Sequence, residues 1–89
     1  MLEKSIEITN PTGLHARPAA LFVQTAAKFS SHIWLSKNEK KVNAKSIMGL
    51  MSLAVPKGSV VTLAVDGDDE SVAIKELVTL IENDFYEEV

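Results

Sequence analysis

The chain has 89 residues, of which 46% are apolar and 24% charged, with no cysteine and a formal net charge of −3. That length suits one domain spanning residues 1–89 and leaves no room for a second core of useful size. Nine basic residues against twelve acidic ones leave no global positive field to draw the chain to nucleic acid or an anionic membrane. Without thiolates, and with two histidines, neither a dedicated metal site nor a cofactor is expected.

Residues 2–9 alternate, with Ile6 and Ile8 on one face and Glu3, Ser5 and Glu7 on the other, the pattern of a half-buried strand. Asn10-Pro11-Thr12-Gly13 ends it. From Ala16 to about residue 29, Ala19, Phe22, Val23, Ala26 and Phe29 recur at helical spacing, and Pro18 fits a first turn whose N–H groups lack partners in any case. Ile33 and Leu35 alternate with Trp34 and Ser36. Lys37-Asn38-Glu39 then turns the chain into residues 40–43, which predicts a hairpin whose first strand pairs in the main sheet. Residues 46–53 read as a short helix with Ser46 at its cap. Ala54-Val55-Pro56-Lys57-Gly58 closes that helix. Residues 59–66 form an alternating strand with Val61, Leu63 and Val65 facing one way, and Asp66-Gly67-Asp68 terminates it. A last helix follows, with Asp68, Asp69 and Glu70 at its positive end and Ile74, Leu77, Val78, Ile81 and Phe85 as its buried stripe. The order βαββαβα predicts an α+β fold, with three helices on one face of a mainly antiparallel sheet and the other face wet. Residues 1–4 carry no apolar targeting segment, and no apolar stretch reaches the ~18 residues of a membrane span, so a soluble cytoplasmic protein is expected.

The most informative stretch is Gly13-Leu14-His15-Ala16-Arg17-Pro18-Ala19-Ala20, which sets a nucleophilic imidazole, a guanidinium and a helix N-terminus close together. Gly13 permits the tight reversal that puts His15 at the helix mouth. The dipole favours an anion there by about 0.3 to 1 kcal/mol and an arginine–phosphate hydrogen bond by about 1.5 to 3 kcal/mol, enough to orient a phosphoryl group without trapping it. On spacing alone the same residues also read as a helix-capping histidine and a solvated arginine. His32 belongs to no motif and reads as a surface or strand-edge residue, and Trp34 is expected on the wet sheet face.

The run from Gly13 to Ala19 resembles the phosphorylation-site signature of the HPr family. The run Asn43-Ala44-Lys45-Ser46-Ile47-Met48-Gly49-Leu50-Met51-Ser52-Leu53 resembles that family's regulatory region. The resemblance covers essentially the whole chain and implies an open-faced β-sandwich with sheet order 1-4-2-3. It implies a phosphocarrier, not an enzyme, of the phosphoenolpyruvate-dependent sugar phosphotransferase system. By the same resemblance His15 accepts phosphate on Nδ1 from enzyme I and donates it to the enzyme IIA domains of sugar permeases. Arg17 is the matching site arginine, and the N–H groups of Ala16 and Arg17 bind the phosphoryl oxygens. A regulatory module like Crh, which keeps the serine site and lacks the active histidine, is the alternative, and His15 speaks against it. The sequence departs from the family at Asn10-Pro11, at Pro56 and in the Phe85-Tyr86-Glu87-Glu88-Val89 tail.

Ser46 opens the short helix, and as a sequence feature it reads as a plain N-cap. Similarity to HPr of low-GC Gram-positive bacteria instead implies phosphorylation by HPr kinase/phosphorylase, followed by binding of a catabolite control transcription factor. The four apolar residues Ile47, Met48, Leu50 and Met51 cannot all point inward on so short a helix. The resemblance assigns Ile47, Met48 and Met51, with Ala20 of the preceding helix, to a docking face. Both methionines also suit core filler. A monomer is expected.

Overall fold

The computed structural model describes residues 1–14 and 16–86; His15 and residues 87–89 lie outside the described residues. The elements run β1 (Leu2–Glu7), α1 (Ala16–Ala26), β2 (His32–Lys37), β3 (Lys40–Asn43), α2 (Ile47–Ser52), β4 (Val60–Asp66) and α3 (Glu70–Glu82), followed by one 3-10 turn, Asp84–Tyr86. The strands form one antiparallel sheet in the order β1-β4-β2-β3, the order the resemblance implied.

Register carries the period-2 pattern across the sheet. Val65 stands opposite both Leu2 and Ile33, and Leu63 opposite Leu35, so Val61, Leu63, Val65, Ile33 and Leu35 form a continuous buried surface. Ala19, Phe22 and Ala26 of α1 and Leu77 and Ile81 of α3 join them in one core. The opposite face carries Glu3, Ala64, Trp34 and Asn43 in one cross-strand row. Trp34 is half-buried there because its neighbours cover it. The His32 ring stacks on it at 5.8 Å and 20°, and Lys41 Nζ lies 4.7 Å from its ring centroid. His32 itself is exposed at the start of β2.

Several local expectations needed tertiary correction. β1 ends at Glu7, yet Ile8 is fully buried, its N–H donating to the Ser59 carbonyl and its own carbonyl accepting from Gly58. α1 ends at Ala26 rather than near Phe29, which packs against the core from the following turn. The buried face of α3 is Ala73, Leu77, Leu80 and Ile81, while Ile74 and Val78 flank it half-buried. Ala73, too small to mark an apolar stripe, takes an inward position, and Leu80 follows seven residues on, two helical turns along the same face. Phe85 is buried, but not by continuing α3. Asp84 and Phe85 adopt left-handed φ values of 52° and 56°, folding the chain back so that the Phe85 ring meets Phe22 at 6.5 Å. Thr9 Oγ1 donates to Asp84 Oδ1 at 2.7 Å and fastens that turn.

Asp69 stands at the start of α3 but does not cap it. Its carboxylate accepts instead from the Ser30 and Ser31 amides, at 2.9 and 3.0 Å, and from the Ser31 hydroxyl, clasping the α1–β2 turn to α3. The Ser31 hydroxyl first, and the Ser30 amide next, hold the Asp69 carboxyl below the usual carboxylate range. A group depressed in the folded state stabilises above its unfolded pKa, and that contribution disappears as pH falls through the folded value. Asp69→Asn is therefore expected to unfold at lower denaturant than the parent at pH 7, with the gap closing below about pH 4; urea titrations across that range check it.

Candidate functional site

The loop leading to His15 is built by short-range closure. Gly13 N–H donates to the Asn10 carbonyl at 3.1 Å, and the buried Asn10 side chain donates from Nδ2 to the Gly13 carbonyl at 2.7 Å. Gly13 has φ +67°, and a Cβ there would overlap the Val55 carbonyl oxygen and sit 2.9 Å from Pro56 Cα. Only glycine fits such an approach without displacing backbone. Leu14, buried in the core, then donates its N–H to the Val55 carbonyl at 2.8 Å. The chain is thereby tethered to the α2–β4 connection immediately before position 15.

α1 begins at Ala16, with Ala16 and Arg17 exposed and Pro18 and Ala19 buried. Its first-turn amides have no intrahelical acceptors, and that turn carries no acidic side chain to compete for them. The local electrostatics suit an anion. Ala20, one helical turn on, is half-buried. His15, the predicted nucleophile, lies outside the described residues, whereas Ala16, Arg17, Ala20, Ser46, Ile47, Met48 and Met51 lie within them.

α2 is held at its start by Ser46, whose exposed side-chain Oγ accepts from Gly49 N–H at 3.1 Å. Ser46 N–H donates to the Asn43 carbonyl, and Asn43 Oδ1 accepts from Lys45 N–H at 2.9 Å. Lys45 Nζ donates to the Phe29 carbonyl at 2.6 Å, joining the turn before α2 to the turn after α1. Of the four apolar residues competing for burial, Leu50 is the buried one. Ile47, Met48 and Met51 are 40%, 81% and 46% exposed, so neither methionine is core filler. Met51 also lines a shallow groove of about 350 Å³ with Thr12, Leu14, Ala54, Val55 and Pro56. Met51 of α2 and the loop preceding His15 therefore share one groove.

A feature legible in the sequence but not read there is the segregation of charge. Between positions 14 and 60 lie seven basic residues and one acidic residue, whereas the rest of the chain carries two basic and eleven acidic. A net charge of −3 thus conceals a segment of +6, containing α1, the hairpin and α2, against a remainder of −9. Acidic surfaces are the electrostatic complement of that segment. Among the described residues no cluster of three or more metal-ligating side chains occurs, and no helix is long and apolar enough to cross a membrane.

The comparisons agree on one family. The family model described as "PTS HPr component phosphorylation site" matches residues 2–83. HPr-like protein Crh of Halalkalibacterium halodurans is 56% identical over 94% of this chain and 100% of its own. Phosphocarrier protein HPr of Neisseria meningitidis is 53% identical over 98% of each. The crystal structure of HPr-C-His from Thermoanaerobacter tengcongensis superposes with a TM-score of 0.96 at 68% identity, covering 100% of both chains. A structure described as an HPr dimer from the same organism gives 0.79 at 69% identity, over 98% of this chain and 100% of that one. The fold and the match together define a phosphocarrier, a protein that conveys a group between partners rather than an enzyme. This chain belongs to the HPr family of the phosphotransferase system.

The end of α2 carries local strain. Ala54, exposed just beyond the C-cap residue Leu53, has φ +52°, a left-handed conformation that costs an alanine about 1–2 kcal/mol. Glycine avoids that cost but gains unfolded-state freedom. Ala54→Gly is expected to raise stability by about 0.5–1 kcal/mol, read as a shift of the urea midpoint at constant m.

Proposed function

We propose that His15 accepts a phosphoryl group on Nδ1 from enzyme I and passes it to the enzyme IIA domains of sugar permeases. The neutral imidazole attacks phosphorus, a P–N bond forms as the donor's bond to phosphorus breaks, and the acceptor reverses the exchange. The amides of Ala16 and Arg17 and the Arg17 guanidinium hold the phosphoryl oxygens, their modest strength matching a group that must also leave. The observation that carries this reading is that Leu14, the residue before the histidine, and Met51 of the exposed α2 face line one groove. A partner seated on Ile47, Met48, Met51 and Ala20 then reaches the start of α1. The basic field over residues 14–60 favours acidic partner surfaces. The reading places the chain, one domain over residues 1–89, in the cytoplasm as a monomer. Sedimentation at about 9.7 kDa supports the monomer, and a doubled mass, as in the dimeric relative, overturns it.

Ser46 is a regulatory site on the same reading, phosphorylated by HPr kinase/phosphorylase and then recognised by a catabolite control transcription factor. Its hydroxyl is exposed, and phosphorylation adds about −1.5 to −2 charges within the positive segment. Charge is screened beyond the ~8 Å Debye length, so inhibition requires the phosphate to lie at the docking surface, where Ile47 and Met48 follow Ser46 directly. The similarity to Crh proteins makes a purely regulatory module the second reading, and His15 favours the carrier.

One assay separates the two. Incubated with enzyme I and phosphoenolpyruvate, the parent is expected to take up acid-labile, base-stable phosphate and His15→Ala none. Ser46→Asp should accept it several-fold more slowly, by about 1 kcal/mol of lost attraction. Phosphate on His15→Ala overturns the nucleophile, and a Ser46→Asp rate equal to the parent overturns charge repulsion.

A further inference from the structure

We propose that Lys37 and Lys40, a cross-strand pair at the tip of the β2–β3 hairpin, are positioning residues that hold α2 in the geometry its partners bind. The inference rests on the carrier reading above. α2 is six residues long and contains Gly49, so it cannot persist on its own propensity. Within it only Leu50 is buried. Its start is held by Ser46; at its close the Leu53 and Ala54 amides satisfy the Leu50 and Met51 carbonyls, which leaves the Ser52 carbonyl and the connection after it to be held from outside, and the last turn carries no basic side chain.

The hairpin supplies donors to the last helical carbonyl and to the connection beyond it. Lys40 Nζ donates to the Ser52 carbonyl at 2.8 Å, and Lys37 Nζ donates to the Ala54 carbonyl at 2.9 Å. Lys37 and Lys40 stand directly opposite one another in the β2–β3 register, a placement that sets like charges together and weakens a sheet left to itself. Two carbonyl oxygens and the negative end of α2 offset that repulsion. The pair thus belongs to the helix as much as to the hairpin. Since Ile47, Met48 and Met51 all project from this one short helix, a change in its seating moves the whole apolar surface relative to the start of α1.

A competing account has the same lysines touch an acidic partner directly, and the two differ in the free protein. The experiment uses the full chain with Lys37→Met plus Lys40→Met, which keeps the apolar stems and removes the donors. Lys37→Arg plus Lys40→Arg restores donors, and the single Lys40→Met serves should the double variant fail to fold. Amide exchange at residues 50–54 is measured without partner, and kcat and KM are measured for transfer from enzyme I. The methionine variant is expected to speed exchange at 50–54 about two- to fivefold relative to α1 and α3 amides, with a similar rise in KM and unchanged kcat, and the arginine pair to restore both. Unchanged exchange at 50–54 overturns the proposal even if KM rises, because that result reports direct contact. Faster exchange with unchanged KM, or arginine that fails to restore, also overturns it. A parent that takes no phosphate from enzyme I sinks the carrier reading instead, an outcome the exchange comparison does not share.

Discussion

The approach of Gly13 to the Val55 carbonyl organises the functional end of the molecule. With no side chain at position 13, the loop after β1 lies directly against the α2–β4 connection, and the Leu14 N–H reaches Val55. The Asn10 side chain closes the same turn from inside, so the residue preceding His15 is anchored by backbone and by its own burial. In the proposed transfer, anchoring the residue before the nucleophile lowers the ordering cost of the reaction. The same contact makes α2 a neighbour of the loop, which is why Met51 and Leu14 line one groove.

α1 and α2 are seated by unequal means. α1 is seated by Ala19, Phe22 and Ala26 in the core, reinforced by Phe85 folding back on Phe22. α2 buries one residue of its six and depends on polar contacts at both ends: Ser46 at its start and the hairpin lysines at its close. An element with little buried area and exposed hydrogen bonds opens more easily than the core around it. It is also where a change of charge, by the proposed modification of Ser46 or by loss of a lysine, has most leverage on seating. The large exposure of Met48 fits this division, since a flexible thioether adapts to different partner surfaces.

In the proposed carrier, the distribution of charge sets how partners arrive and the apolar surface of α2 sets how they stay. The +6 segment and the −9 remainder give the chain a strong asymmetry that its net charge hides. Long-range steering weakens with salt, whereas burial of Ile47, Met48 and Met51 does not, so the two contributions separate by ionic strength.

How much of this was legible in one dimension follows from which interactions are local. Strand alternation, helical spacing, the turns at Gly13 and Gly67 and the Ser46 cap depend on near neighbours, so the sequence alone determined the element order, and resemblance added the sheet order and the proposal of His15, Arg17 and Ser46 as site residues. The exact inward face of α3 was misjudged because Ala73 carries too little apolar area to mark it. The return of Phe85 required two left-handed residues that periodicity cannot foretell. Asp69 reaching the Ser30–Ser31 turn, Lys37 and Lys40 reaching α2, and Gly13 meeting Val55 join residues 38, 17, 12 and 42 positions apart. Only tertiary structure decides such contacts, because they depend on the register and packing of whole elements, and pattern along the chain carries no distance between segments that fold together.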